Sequence, residues 1–220
     1  MMIRNLRSGI SIFVILFTLS SGRFCFGQVD YSVAGDLNLL LAKTSANNDS
    51  ITTALKSALE AYSEEIGINP QSAHAYAGRG EAKFLLGDYR GAILDCRKST
   101  ELNPSAAEAY SILGRAEQAV GDFRSAIRDY GKAIDMNPHH PGVNMTYYYR
   151  GFAKSESGND AAAVLDYNKS LEIAPDPLVY LKRGISKVNL VDRKGACLDF
   201  NKAGELGNRE AGEMIAKYCK

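Results

Sequence analysis

The phrase GRGEAKFLLGDYRGAILDCRKSTELNP at residues 78–104 returns at 114–138 as GRAEQAVGDFRSAIRDYGKAIDMNP. A glycine stands at Gly80, Gly114, Gly151 and Gly184, at separations of 34, 37 and 33 residues. Twelve residues after each comes an alanine: Ala92, Ala126, Ala163 and Ala196. Four further on lie Cys96, Tyr130, Tyr167 and Phe200. Pro104, Pro138 and Pro175 close the first three units, and Asn208 takes that place in the fourth. Self-similarity with a period near 34 is the mark of a helical solenoid. In such a fold one unit cannot bury its apolar face alone, and stacked units share a continuous core.

Each unit reads as two helices. Tyr76, Gly80, the Lys83 stem and Leu86 follow a three-to-four spacing over 73–86, and Ala92, Ile93, Cys96 and Ser99 share a face over 89–102. Gly87-Asp88 between them combines a helix stop with an N-cap. Asn103-Pro104 ends the second helix, because proline disfavours helix at the preceding residue. The same punctuation recurs at Gly121-Asp122, Gly158-Asn159 and Val191-Asp192. A mid-helix glycine costs roughly 1 kcal/mol relative to alanine. The expected recovery is close backbone approach, with Gly80 lying against Ala92.

The order Tyr–Gly–Ala–aromatic–Pro resembles the tetratricopeptide repeat. In the second unit it is carried by Tyr110, Leu113, Gly114, Ala126, Tyr130, Ala133 and Pro138. The resemblance covers 73–208 in four units, 73–106, 107–140, 144–176 and 177–208. It implies an all-α fold, a right-handed α-solenoid of helix hairpins, working as a non-enzymatic scaffold for a protein or peptide partner. Departures are Cys96 and Ser99 in the first unit, Asn208 in the last, and a three-residue insertion at Pro141-Gly142-Val143. Upstream, Ala58, Tyr62 and Pro70 keep second-helix spacing, so 36–72 reads as a degenerate leading hairpin whose first helix runs over 36–46. Residues 28–35 are expected to be a flexible leader. Downstream, Ala203, Leu206, Gly207 and Ala211 are similar to a Sel-like repeat, and 209–220 reads as a capping helix.

The first 27 residues read as a secretory signal. Arg4 and Arg7 precede the apolar run Ile10 to Leu19, and small residues flank Phe26 at Cys25 and Gly27. The run is about half of the ~20 residues that a spanning helix needs. Cleavage after Gly27 leaves Gln28 first, with 23 basic against 25 acidic residues; lipidation of Cys25 is the alternative. A near-neutral chain carries no field to collect nucleic acid. The expected location is exported, periplasmic or secreted, in a bacterial envelope.

Few residues suggest chemistry. Asp95, Asp129, Asp166 and Asp199 share one repeat position, and Arg79, Arg150 and Arg183 another. One copy per unit suits structural ion pairs between stacked hairpins better than catalysis. After export three cysteines remain. Cys96 fills an aromatic core slot, while Cys197 and Cys219 are candidates for a disulfide pinning the capping helix in an oxidising compartment. The adjacent His139 and His140 lack a Cys or carboxylate at ligand spacing, so no metal and no cofactor is expected.

Ligands of the resembled family lie along the inner face made by first helices. Carried over, that face includes Phe84, Glu108, Ser111, Arg115, Tyr148, Phe152, Leu181 and Ile185. The expected partner-binding residues are Tyr148, Tyr149, Phe152, Leu181, Ile185, Arg115 and Phe84. Two alternatives stand beside this: packing of Phe152 and Ile185 between neighbouring helices, and a glycan or lipid site on the Tyr148/Tyr149/Phe152 cluster. The Lys and Asn that clamp a C-terminal carboxylate in one subclass are missing.

Overall fold

The computed structural model describes residues 30–45 and 47–219; the expected signal segment and the start of the leader lie outside the described residues. Among the described residues there are eleven helices and no strand. Tyr31–Thr44 (α1) and Asn48–Ile68 (α2) form a leading hairpin. Four more hairpins follow: Ala73–Leu85 with Tyr89–Leu102 (α3, α4), Ala107–Ala119 with Phe123–Met136 (α5, α6), Val143–Glu156 with Asp160–Ile173 (α7, α8), and Pro177–Asn189 with Arg193–Glu205 (α9, α10). Ala211–Tyr218 (α11) closes the stack against α10. Each helix packs on the next, and α1, α3, α5, α7 and α9 also touch their next-but-one neighbours. The first helices therefore line the inside of the curve.

The turn within each repeat hairpin is built the same way. The Asp88 amide donates to the Lys83 carbonyl at 2.9 Å, and Gly87 takes φ +84°. Asp122, Asn159 and Asp192 repeat the bond to Glu117, Lys154 and Lys187, each at 2.9 Å. Those four polar residues then cap the following helix through the amide three residues on. Gly121 and Gly158 share the left-handed conformation, but Val191 adopts it as well, at φ 64°. A β-branched side chain is strained there.

The inner glycines meet a different partner from the expected alanine. A Cβ on Gly114, Gly151 or Gly184 would come within 3 Å of the ring of Tyr130, Tyr167 or Phe200. At Gly80 it would reach the Cys96 sulfur, with the Ala92 carbonyl only next. The glycine leaves room for the side chain sixteen residues later, and the alanine is the small residue beside it. Tyr130, Tyr167 and Phe200 are almost wholly buried, which at full burial is worth roughly 2–3 kcal/mol each.

The leading hairpin follows this rule with other residues. Its buried aromatic, Tyr62, is gripped by Gly35 of α1 and Gly78 of α3. The expectation of a flexible leader to residue 35 fails on this contact, because α1 begins at Tyr31, is capped by Asp30 and buries Gly35. The first helix thus runs 31–44 rather than 36–46. Its second helix is also longer, 21 residues, and the glycine lies 27 residues before the aromatic instead of 16.

The recurring charges pair inside hairpins rather than between them. Asp95 takes Arg79 at 2.8 Å and Lys83 at 2.7 Å. Asp166 takes Arg150 and Lys154, and Asp199 takes Arg183 and Lys187, in each case first helix to second. The second hairpin breaks the pattern: Leu113 and Glu117 stand where the cations should be. Asp129 is served instead by Arg128 and Lys132 of its own helix.

Cys197 and Cys219 are joined, with Cα atoms 5.6 Å apart, tying α10 to the end of α11. Cys96 is a buried free thiol whose pKa burial pushes up to about 12, so it is inert at neutral pH.

Candidate functional site

On the inner surface a cavity of about 310 Å³ opens between α3, α5 and α7. Glu81 forms one side, Glu108, Ser111, Ile112 and Arg115 the floor, and Met145, Thr146 and Tyr149 the other side. The inserted segment supplies the end wall, since His140, Pro141, Gly142 and Val143 all border the cavity. The insertion therefore builds a local wall. Gly142 turns the chain at φ +92° to start α7.

Arg115 is the centre of this site. Its guanidinium lies 4.3 Å from the Phe84 ring centroid and 5.6 Å from that of Tyr149. Cation–π contacts of this kind hold a cation in place without neutralising it. Among the described residues Arg115 makes no hydrogen bond and no ion pair. Tyr149 is braced in turn by stacking on Tyr130, 6.0 Å between centroids and 18° between planes. Glu108, two turns back on α5, is exposed and likewise unpaired among the described residues. Glu81 differs, because Lys43 reaches it from α1 at 2.9 Å and neutralises it.

The sequence-expected residues divide into two groups. Arg115 and Tyr149 line the cavity, and Phe84 packs its ring on the Arg115 guanidinium. Phe152 is half-buried one turn further along α7, with the Lys182 ammonium 5.5 Å from its ring. Tyr148 and Leu181 are buried rather than open to the groove. Tyr148 is 8% exposed and packs with Tyr167 and Val179; Leu181 is fully buried with Ala196 and Phe200. Ile185 packs against that same group. Inner helix faces must also seal against neighbouring hairpins, and these three apolar side chains do so. Burial pushes the Tyr148 hydroxyl up to about 12, so it stays neutral. The aromatic cluster is not a flat exposed platform, since the Tyr148 and Tyr149 rings are 58° apart and one of them is buried.

Groove neighbours that the sequence does not place there are His140 of the loop, Thr146 of α7, and Lys43, which neutralises Glu81 from α1. The insertion was the available signal for the first. His74 is not in the cavity; its Nε2 lies 3.0 Å from Asp36, which also accepts from the Tyr62 hydroxyl at 2.7 Å.

Comparison with known proteins agrees with this architecture. Residues 112–176 and 73–105 match two tetratricopeptide repeat family models. Those two segments are tetratricopeptide repeats. Repeats of this kind are protein-interaction scaffolds, and neither match indicates a catalytic family. Among solved structures, a crystal structure of MamA is 26% identical with a TM-score of 0.65, covering 75% of this chain and 92% of that one. MamA 41-end from Desulfovibrio magneticus RS-1 is 18% identical, TM-score 0.68, over 81% of this chain and 96% of its own. YrrB, described as a TPR protein with an unusual peptide-binding site, is 17% identical, TM-score 0.68, over 84% of this chain and 90% of that one. Comparison with curated proteins returns no match.

Proposed function

We propose that this tetratricopeptide repeat protein is an exported scaffold that receives a segment of a partner protein in its inner groove. The observation that carries this reading is the cavity at Arg115, where a fixed but unneutralised cation borders a concave, partly apolar space between three first helices. Such spaces, with a few placed polar groups, suit ligand recognition. YrrB, a neighbour in fold, is described as having a peptide-binding site.

The exported location rests on Arg4, Arg7 and the apolar run Ile10 to Leu19. It is supported by the Cys197–Cys219 bond, a linkage that persists in oxidising compartments. The Sel-like reading of the C-terminal end rests on Gly207 at φ +90° and on Ala211, which is buried against α10.

The test is a crosslinking pull-down from the cells that make the protein, run with the native chain beside Ser111→Trp, which fills the cavity, and Lys169→Trp, on the exposed side of α8. Circular dichroism checks both folds. The reading requires a partner captured by the native chain and by Lys169→Trp but lost from Ser111→Trp. Equal capture by all three sinks it.

A further inference from the structure

The cavity holds two free charges of opposite sign, and they lie on one line. Glu108, Ser111 and Arg115 are related by three and four residues on α5, so they share one face. Seven residues of helix separate the two charges by roughly 10 Å along the axis. The other ionised groups nearby are already answered. Glu81 is bound by Lys43, and Asp36 meets His74 and Tyr62. His140 stands at the end wall. What the groove offers a partner is therefore a positive point at Arg115 and a negative point at Glu108.

The spacing of the two charges limits the occupant. On a partner helix, side chains that share a face three or four residues apart rise only about 4.5–6 Å along the axis, roughly half the separation of Glu108 and Arg115. An extended chain fits. In a polyproline II conformation, residues three apart fall on the same side, about 9 Å from one another, close to the separation of the two charges.

Building on the groove reading above, we propose that the partner segment is an extended peptide bearing an acidic and a basic side chain three residues apart, the acid seated on Arg115 and the base on Glu108. The Phe84 and Tyr149 rings keep the guanidinium in place before the ligand arrives, so little side-chain entropy is lost on binding. Charge placement sets direction as well as preference, because the reversed peptide puts like charges together.

The test is selection from a displayed library of random 12-residue peptides flanked on both sides, so that no free terminus is offered, on the whole protein. The selected sequences are expected to share an acidic and a basic residue three apart in one fixed order. Arg115→Glu should weaken a selected peptide at least about tenfold. The double variant Glu108→Lys with Arg115→Glu should select the opposite order. Peptides that ignore both charge changes but are lost from Ser111→Trp overturn this inference and leave the groove reading standing. Peptides that also ignore Ser111→Trp, or a failure to select any, overturn both. If a parallel library with free C-termini is enriched instead for a terminal carboxylate on Arg115, the two-charge address is wrong.

Discussion

Replacing Glu117 by glutamine is expected to stabilise the protein at alkaline pH and to leave it almost unchanged at pH 4.5. Three hairpins place two cations from the first helix on the buried aspartate of the second. Here Leu113 and Glu117 occupy those positions, so Asp129 faces a second carboxyl. The Glu117 side chain is 1% exposed; Oε1 accepts from Arg97 at 3.0 Å, while Oε2 is buried without a partner. Burial raises its pKa to about 7; Arg97 opposes the rise and Asp129 adds to it. Asp129 is lowered: burial works against its charge, and the Arg128 guanidinium, with Lys132 beside it, more than offsets that. The folded chain thus keeps a proton on Glu117 that the unfolded chain, titrating near 4.3, releases. Stability is lost as pH rises from about 4.3 through 7 and is level beyond. A shift of between two and three units amounts to roughly 3 kcal/mol at pH 8. Glutamine keeps the acceptor for Arg97 and removes the charge. At ~2–4 °C per kcal/mol for a chain of this size, the variant should melt roughly 6–12 °C higher at pH 8. Thermal unfolding of both chains between pH 4.5 and 8.5, followed by circular dichroism, measures the difference. A difference that is flat with pH, or a glutamine variant less stable at pH 8, refutes the reasoning.

Three further outcomes follow from the packing. Val191→Gly should stabilise by about 1 kcal/mol, since the residue is 82% exposed and only its left-handed backbone is strained; an unchanged denaturation midpoint in urea contradicts this. Gly184→Val should cost about 3 kcal/mol or more, because its Cβ would lie 2.5 Å from the buried Phe200 ring, and a melt within a degree of the native one argues against the glycine–ring contact. Cys219→Ser opens a loop of sequence separation 22 and should cost roughly 3 kcal/mol. Amide hydrogen exchange should show the loss concentrated in α10 and α11, and uniform exchange across the stack counts against a capping role.

The hairpins are legible because their signals are local: a stop, a cap, and a proline after the second helix in all but the last repeat. The glycine–ring contact was legible only as a spacing. The glycine and alanine recur together, and only the structure shows that the ring sixteen residues on is what the glycine admits. The start of the leading hairpin departs from the repeat spacing, which points to residue 46, because the long α2 brings Tyr62 to Gly35 instead. Tyr148 and Tyr149 show the limit most clearly. They are adjacent, chemically identical and on the same inner helix, yet one seals a hairpin interface and the other borders the cavity. A rotation of 100° per residue decides which, and the packing of neighbouring hairpins sets its origin. The cavity itself comes from residues on four helices and an insertion, so no periodic pattern announces it.

A competing surface exists on the outside of the stack, where Leu94, Leu165 and Leu198 recur at one repeat position and remain more than 60% exposed. The measurement that separates the two places a photoreactive amino acid at Ser111 in the groove or at Leu165 outside it, and irradiates the cells that make the protein. The groove account predicts one partner crosslinked strongly from Ser111 and absent from Leu165. A partner captured from Leu165 and not from Ser111 contradicts it.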